Sequence, residues 1–177
     1  ILVNNAGGPP PVVSFLDVTD QGWKDGIDLN LMSTINICRA VVPHMKAQKW
    51  GRIVNIMSVS MKQPLDGLLL SNVSRTGVMG FAKSISNELA PDNITVNTVC
   101  PGAIMTDRVK NMTRIRAENE GKTREEILSS YTSIIPMGRA GEPRELGCLV
   151  AFLASELASY ITGTAIQIDG GLVKGYY

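Results

Sequence analysis

The stretch ILVNNAGG, residues 1–8, joins an apolar run to the Asn and Gly residues that typically follow a buried strand. A parallel strand covered on both faces is continuously apolar, and Asn and Gly suit the loop after it. Because the chain begins with Ile1 in the middle of this run, we expect it to be part of a longer protein. The stretch predicts a strand of a parallel sheet whose outer edge is a false edge, left unpaired where the missing part of the protein belongs.

The rest of the chain alternates between further strands and helices. Predicted helices cover about residues 19–48, 70–89 and 142–157, and the first has Trp23, Ile27 and Leu31 at four-residue spacing. Predicted strands cover residues 1–5, 52–58, 93–99 and 164–168. This alternation is typical of an α/β domain with a parallel sheet, and no second domain is evident over residues 1–177. Residues 104–137 are polar and broken, and we predict a mobile insertion there.

Composition excludes several classes of function. The 177 residues carry a formal net charge of +1, which argues against a surface for nucleic acid or anionic lipid. No apolar run approaches the ~20 residues that span a bilayer. The three cysteines, Cys38, Cys100 and Cys148, are far apart in sequence, so we expect reduced, buried side chains and no metal site. We expect a cytoplasmic protein without nucleic-acid or membrane partners.

Polar residues follow three of the predicted strands at their carboxyl ends. They are Asn4 to Gly7 after the first strand, Ser58 after the second and Pro101-Gly102 after the third. Each alone is most simply a turn or a hydrogen-bonded hydroxyl. In an open α/β sheet, however, ligands bind beyond the carboxyl ends of the strands. Together these residues predict a site for a polar ligand.

Seven blocks of sequence resemble the short-chain dehydrogenase/reductase family, especially its 3-oxoacyl-carrier-protein-reductase-like branch. They are ILVNNAG (1–7), DLNLMST (28–34), GRIVNIMS (51–58), SRTGVMGFAKSISNELAP (74–91), ITVNTVCPGAIMTDR (94–108), IPMGRAGEPRELGCLVAFLAS (135–155) and YITGTAIQIDGG (160–171). The resemblance implies the C-terminal part of a doubly wound, Rossmann-like sheet with helices on both faces. It also implies that the family's Gly-rich phosphate loop, which would precede the NNAG motif, lies outside this chain.

The same resemblance assigns roles to individual residues. The cofactor would be NAD or NADP, and the substrate a small-molecule carbonyl or alcohol. Ser58 would polarise the substrate carbonyl, Asn30 would hold a water in a proton relay, and residues 104–137 would close over the substrate. The residues lining the cofactor would be Asn5, Ala6, Gly7, Pro101, Gly102, Ile104 and Thr106. A homodimer or homotetramer would form through the helices at about 20–48 and 70–89.

The chain departs from the family at the proton-transfer pair. The family places a Tyr thirteen residues after the catalytic Ser and a Lys four residues later, but these positions hold Ser71 and Arg75. A Tyr phenol has a pKa near ~10, whereas a Ser hydroxyl is a far weaker acid and Arg stays protonated. The guanidinium could still bind ribose hydroxyls or a phosphate. Tyr131 and Lys62 are weaker candidates for a replacement proton donor.

Two functions therefore remain open. One is an NAD(P)-dependent oxidoreductase with an altered proton-transfer pair, in which Ser58, Asn30, Ser71 and Arg75 form the catalytic set. The other is a non-catalytic relative that acts as a binding or scaffold subunit. The motifs on the cofactor side favour the oxidoreductase, and the Ser71/Arg75 replacement favours the second function.

Overall fold

The computed structural model describes residues 1–11 and 14–175, so residues 12–13 and 176–177 of the predicted domain lie outside the described part. The strands are β1 (Leu2–Asn4), β2 (Gly51–Ile56), β3 (Ile94–Pro101) and β4 (Ala165–Ile168). The α-helices are α1 (Asp20–Ile27), α2 (Ser33–Gln48), α3 (Leu69–Leu89), α4 (Asp107–Glu120), α5 (Arg124–Thr132) and α6 (Pro143–Leu153). All four predicted strands are confirmed, with ends that differ by no more than two residues.

The four strands form one parallel sheet in the order β1-β2-β3-β4. Among the described strands β1 pairs only with β2, so its other edge is unpaired here, and its interpretation as a false edge stays a prediction. All strands run in the same direction, so their carboxyl ends lie along one edge of the sheet. This edge carries the polar residues that the sequence singled out.

Alternating side chains of the central strands face two separate apolar layers, because successive side chains point to opposite sides of a strand. Ile53 of β2 packs in a layer with α2 and α3, which contribute Cys38, Met45, Ala82 and Leu89. The next residue, Val54, packs with Leu153 of α6 in the opposite layer. The predicted α/β sheet with helices on both faces is therefore confirmed.

The predicted helix 19–48 contains an irregularity that its apolar spacing does not reveal. α1 and α2 are joined by a π-helical turn, Asp28–Met32, in which the Ser33 N–H donates to the carbonyl of Asp28. A π-turn inserts one extra residue into a helix and is frequent at functional sites. Asn30 lies in this turn and its side chain is fully buried.

The prediction of a broken segment over residues 104–137 is wrong, because two helices occupy most of it. Thr106 caps α4 by accepting from the Val109 N–H. Thr123 and Glu126 form a reciprocal capping box at the start of α5. Such caps satisfy the N–H groups that a helix start leaves unpaired, so a polar segment can still be helical. The mobility of this segment and its closure over substrate both stay predictions.

The cysteine prediction needs one correction. Cys38 and Cys100 are buried, as expected, and each packs in an apolar cluster beneath α3. Cys148 is exposed instead, because it lies on the side of α6 that faces away from the sheet. None of the three forms a disulfide in the described part of the chain.

Arg52 is buried at the amino end of β2, opposite the polar edge. Its guanidinium donates to the carbonyls of Gly51 at 2.8 Å and Asn93 at 3.1 Å, and pairs with the Glu156 carboxylate at 3.2 Å. The guanidinium carbon also lies 4.9 Å from the centre of the Trp50 ring. Arg52 therefore connects the start of β2 to the turn before β3 and to the turn after α6.

We expect Arg52→Met to lower the free energy of unfolding by about 2–4 kcal/mol, since hydrogen bonds from a charged donor contribute about 1.5–3 kcal/mol each. Met preserves most of the apolar volume of Arg52. The loss of stability therefore comes from the missing hydrogen-bond donors and not from a cavity. Urea denaturation measures it. Arg114→Met, which removes an exposed pair with Glu118, is the control. Equal stability of the two variants would contradict the structural role of Arg52.

Candidate functional site

The site lies where the loops after β1, β2 and β3 meet α3 and the π-turn. Gly7 follows β1, Met57 and Ser58 follow β2, and Pro101 ends β3. Parallel strands bring these loops to one edge, which is the common ligand position in open α/β sheets. The parallel topology therefore brings the polar residues that follow these strands to the same edge of the sheet.

Asn30 presents an unpaired acceptor to the loop after β1. Its Nδ2 donates to the Ser74 Oγ at 2.7 Å, and the Ser74 hydroxyl donates in turn to the Leu70 carbonyl at 2.6 Å. Since Ser74 has only one hydrogen to give, this chain fixes the orientation of the Asn30 amide. Asn30 is 0% exposed, and its Oδ1 has no hydrogen-bond partner among the described residues.

Gly7 approaches this acceptor more closely than any residue with a side chain could. A Cβ at Gly7 would lie 2.4 Å from Asn30 Oδ1 and 2.7 Å from Arg75 Nη2. Gly7 also has φ +149°, and the following Gly8 has φ +103°, in the range where side chains are disfavoured. The two glycines thus let bare backbone pass beside Asn30 and Arg75.

Arg75 and Ser71 lie on the same side of α3, as their spacing predicts. Arg75 Nε donates to Ser71 Oγ at 3.0 Å, and Arg75 Nη1 contacts the Met57 sulfur at 3.6 Å. Ser71 is buried and Arg75 half-buried. The Ser71 hydroxyl hydrogen makes no bond to a described residue, so it is available to a ligand or a water.

The electrostatics of this edge are set by the half-buried Arg75 guanidinium. Burial lowers the pKa of the Arg75 guanidinium, but arginine remains protonated near neutral pH. No carboxylate oxygen of a described residue lies within 4.0 Å of Arg75. Burial also raises the pKa of the nearby Cys100 thiol to about 11, against the opposing charges of Lys62 and Arg75. Cys100 is therefore a neutral thiol here.

Ser58 lies two residues after the end of β2 and directly follows the Met57 that contacts Arg75. Its Oγ accepts from the Ser60 N–H at 3.1 Å, which holds the side chain at the start of a short 3₁₀ turn, Val59–Met61. This bond uses an acceptor lone pair and leaves the hydroxyl hydrogen free. Ser58 is half-buried and can donate to a ligand oxygen at this edge.

The remaining predicted cofactor residues make no hydrogen bond to Asn30 or Arg75 among the described residues. Asn5 and Ala6 are exposed in the loop before Gly7. Gly102 packs against Asp169 and donates its N–H to the Ile168 carbonyl at 3.0 Å. Ile104 is buried against Gly141, and Thr106 caps α4. Their assignment to a cofactor stays a prediction.

Neither Tyr131 nor Lys62, the two candidates for a replacement proton donor, is connected to Ser71 or Arg75 by a hydrogen bond. Tyr131 lies on α5, makes no hydrogen bond to a described residue, and burial raises the pKa of its phenol. Lys62 lies near enough to Cys100 to influence the pKa of that thiol.

Sequence reasoning missed three residues that shape the site: Ser74, Met57 and Gly8. Ser74 holds Asn30, Met57 receives the Arg75 guanidinium, and Gly8 extends the bare backbone. The signal for Ser74 was present, because a residue three positions after Ser71 shares its helix face. Met57 carries no polar signal, and the role of Gly8 depends on tertiary placement.

We expect Gly7→Ala to lower the free energy of unfolding by about 1–3 kcal/mol, because the methyl group must displace Asn30 or Arg75 and the backbone is strained. Urea denaturation tests this. Gly67→Ala is the matched control, since Gly67 also has positive φ, at +71°, but nothing lies within 4 Å of its Cβ position. If both variants lose the same stability, backbone strain alone explains the effect and close packing at Gly7 is not supported.

Comparison with known proteins places these features in a family. A model for the family described as enoyl-(acyl carrier protein) reductase matches residues 1–173. The 3-oxoacyl-(acyl-carrier-protein) reductase of Aquifex aeolicus is 41% identical, over 97% of this chain and 64% of its own length. The acetoacetyl-CoA reductase of Cupriavidus necator is 36% identical, over 99% of this chain and 66% of its own.

The same fold is found in a solved structure. The L-sorbose reductase of Gluconobacter frateurii, crystallised with NADPH and L-sorbose, superposes with a TM-score of 0.92 at 32% identity. The match covers 98% of this chain and 66% of that one, so the chain spans 64 to 66% of the length of these three relatives. The family match and the shared fold agree with the seven sequence blocks, and the chain belongs to the short-chain dehydrogenase/reductase family.

Proposed function

We propose that the protein is an NAD(P)-dependent oxidoreductase that interconverts a carbonyl and an alcohol, similar to 3-oxoacyl-thioester reductases, with an altered proton-transfer pair. The observation that carries this proposal is the group formed by Asn30, Arg75 and the bare backbone of Gly7. A fully buried amide oxygen without a partner and a half-buried cation without a counter-ion are costly unless a ligand uses them. Membership in the reductase family supports the same function.

These residues fit the chemistry of a nicotinamide dinucleotide. Such a cofactor has ribose hydroxyls that can donate to Asn30 Oδ1, either directly or through a water. Its ribose and phosphate oxygens can accept from the Arg75 guanidinium. Gly7 leaves space where any side chain would fill the gap. We therefore assign cofactor contact to Gly7 and Arg75, and propose the same for Asn5, Ala6, Pro101, Gly102, Ile104 and Thr106.

When bound, the reduced nicotinamide supplies the hydride. Ser58 donates its free hydroxyl hydrogen to the substrate carbonyl oxygen, which polarises the carbonyl and stabilises the developing negative charge. Asn30 Oδ1 accepts from an ordered water. Ser71, whose hydroxyl accepts from Arg75 Nε, orients that water, and the water gives a proton to the alkoxide while it takes one from bulk solvent, so that no hydroxide is left in the site. Ser71 itself is too weak an acid to replace a tyrosine phenol.

One observation favours the alternative, a non-catalytic binding or scaffold subunit. Ser71 is buried and its hydroxyl accepts from Arg75 within the same helix, so the hydrogen bond between the two side chains forms without a ligand. A catalytic protein and a scaffold differ in cofactor binding and turnover. The same measurements therefore decide between the two functions.

Replacing Arg75 tests the proposed function at the cofactor. We expect Arg75→Met to raise the Kd of the full-length protein for NAD(P)H by about 10- to 100-fold, because a charge-assisted hydrogen bond is lost. Fluorescence titration with NADH and NADPH measures this. Arg75→Lys keeps the charge and should lose less affinity. Unchanged affinity in the Met variant would contradict the proposal, and binding of neither cofactor by the wild type would favour the scaffold.

We infer further that the protein forms a homodimer or homotetramer through α2 and α3. Apolar side chains remain exposed on both helices, with Ile37 at 41% and Val73 at 46% exposure. Half-buried Val42, Phe81 and Ile85 line a groove between the two helices. A monomer needs only one apolar stripe per helix. Sedimentation equilibrium should show a dimer or larger species at micromolar concentration, and a pure monomer would contradict the inference.

None of the described helices combines the length and apolar character needed to cross a membrane. We propose a cytoplasmic location. Nucleic acid is not an expected partner, given the formal net charge of +1.

A further inference from the structure

Ser74 is a buried residue of α3 whose hydroxyl contacts the π-turn between α1 and α2. Its side chain belongs to a residue that is 2% exposed. The Ser74 Oγ lies 2.7 Å from Asn30 Nδ2 and 2.6 Å from the carbonyl oxygen of Leu70. Leu70 also packs on α1, because its Cβ lies 3.3 Å from the position of a Cβ on Gly26. The three elements α1, the π-turn and α3 therefore meet around Ser74.

The Ser74 hydroxyl determines which way the Asn30 amide points. A carbonyl oxygen can only accept, so the single hydrogen of the hydroxyl is used by Leu70. Only lone pairs remain for Asn30, and the amide atom that faces Ser74 must therefore be the nitrogen. The Asn30 Oδ1 then faces the loop after β1, where it lies 2.4 Å from the position of a Cβ on Gly7 and has no described partner.

The same two hydrogen bonds make Asn30 Oδ1 a stronger acceptor. They form a chain from Asn30 Nδ2 through the Ser74 hydroxyl to the Leu70 carbonyl, and each bond in such a chain polarises the next. When the amide nitrogen donates, electron density in the amide moves toward its oxygen. Asn30 is 0% exposed, so bulk water does not weaken this effect. Ser74 thus both orients and polarises the acceptor that the site presents.

We propose that Ser74 is a positioning residue for proton delivery, and this inference rests on the proposed function. Ser74 acts through Asn30: it keeps Oδ1 directed at the water that gives a proton to the alkoxide. The terminal torsion of an asparagine side chain is roughly two-fold, so without the hydroxyl the amide can turn by about 180°. The turned amide presents N–H groups where the water needs an acceptor. The water is then held less often in the orientation that delivers its proton.

Removing the Ser74 hydroxyl affects Asn30 and little else. The Leu70 carbonyl keeps a partner in Ser74→Ala, because in an α-helix it also accepts from the backbone N–H four residues later. Alanine has the highest helix propensity, so α3 keeps its backbone. Asn30 Nδ2, in contrast, loses the one acceptor that it has among the described residues. The variant therefore isolates the effect of amide orientation.

Steady-state kinetics of the full-length protein with NADPH and a ketone panel tests the inference. We expect Ser74→Ala to lower kcat by about 10- to 100-fold, the range that loss of a buried hydrogen-bond partner implies. The Kd for NADPH should change less than kcat, because Arg75 and the Gly7 backbone keep their places. Ser74→Thr keeps a hydroxyl that can bond the carbonyl one turn earlier, and should retain kcat within about threefold.

Ser86→Ala is the matched control, because Ser86 is also fully buried on α3. Its hydroxyl donates to the Lys83 carbonyl at 2.8 Å but accepts from no described residue. This variant should leave kcat unchanged. A second comparison separates positioning from general packing: if Ser74 acts through Asn30, adding Ser74→Ala to Asn30→Ala should lower kcat no further.

Three results would overturn the inference while the proposed function stands. Unchanged kcat in Ser74→Ala would assign the amide orientation to the charge of Arg75. An equal loss in Ser86→Ala, or a further loss in the double variant of Asn30 and Ser74, would show a packing effect. A wild-type protein that reduces no carbonyl would overturn the proposed function and this inference together.

Discussion

Replacing Ser71 with Tyr and Arg75 with Lys together should raise the rate of carbonyl reduction by about 10²- to 10⁴-fold, the usual contribution of general acid catalysis. A Tyr phenol next to a cation has its pKa lowered toward neutrality, so it can deliver a proton that Ser71 cannot. Arg75 Nε already contacts the residue at position 71, which shows that the two positions share the geometry for such a pair. Steady-state kcat with NADPH and a ketone panel in the full-length protein measures the gain.

A control distinguishes the effect of the new hydroxyl on activity from the effect of the new aromatic ring. Ser71→Phe combined with Arg75→Lys adds a ring of similar volume at a buried position but provides no acid. Unfolding midpoints of both double variants should agree, because both place an aromatic side chain in the same space. Equal activity of the Tyr and Phe versions would show that position 71 does not face the reacting oxygen.

The second large effect is expected at Ser58. Ser58→Ala should lower kcat by about 10²- to 10³-fold, the usual cost of removing one donor to a developing oxyanion. The Ser58 hydroxyl accepts from the Ser60 N–H, so its own hydrogen is available to the substrate carbonyl. Steady-state kinetics of the full-length protein with NADPH gives the ratio of kcat values.

Ser58 also caps a short turn, so the test needs controls for structure. Ser58→Thr keeps the hydroxyl and should retain activity within about tenfold. Ser60→Ala alters the same turn without removing the hydroxyl of Ser58. A Ser58→Ala variant with normal stability and unreduced kcat would remove Ser58 from the active site.

Much of the fold could be predicted because burial leaves a regular pattern in the sequence. ILVNNAGG and ITVNTVCPG are apolar runs that end in loop residues, and they became β1 and β3. Parallel strands must place these ends at one edge, so the position of the site followed from the strand predictions. The four-residue spacing in α3 likewise placed Ser71 and Arg75 together.

The error over residues 104–137 came from giving composition more weight than local signals. Polar residues suggested an irregular segment, but Thr106 and the Thr123–Glu126 pair are recognisable helix starts. Ion pairs one turn apart, such as Arg114 with Glu118 at 2.7 Å, add modest stability to an exposed helix. A polar helix that packs on one side only has few apolar residues, so the regular apolar spacing that predicts a helix is weak in its sequence.

Other features depend on tertiary contacts and could not be predicted. The π-turn at Asp28–Met32 has no sequence signal of its own, and its geometry is completed by the Asn30–Ser74 bond to another helix. The position of Arg108 beside Gly8 joins residues a hundred positions apart. Such a contact can be identified only when the fold has placed the loops after β1 and β3 next to each other.

We expect this edge of the sheet to carry out hydride chemistry with an altered proton-transfer pair. Deuterium transfer from the cofactor to the substrate measures that chemistry. Full-length wild-type protein is incubated with NADPH and NADH deuterated at the transferred position, together with oxo acids, neutral ketones and 3-oxoacyl thioesters. Mass spectrometry of the products should find one deuterium on the former carbonyl carbon of the alcohol, at a rate that falls at least about 100-fold in Ser58→Ala. Absence of deuterated alcohol from every substrate, or its formation at the same rate in Ser58→Ala, would contradict the claim.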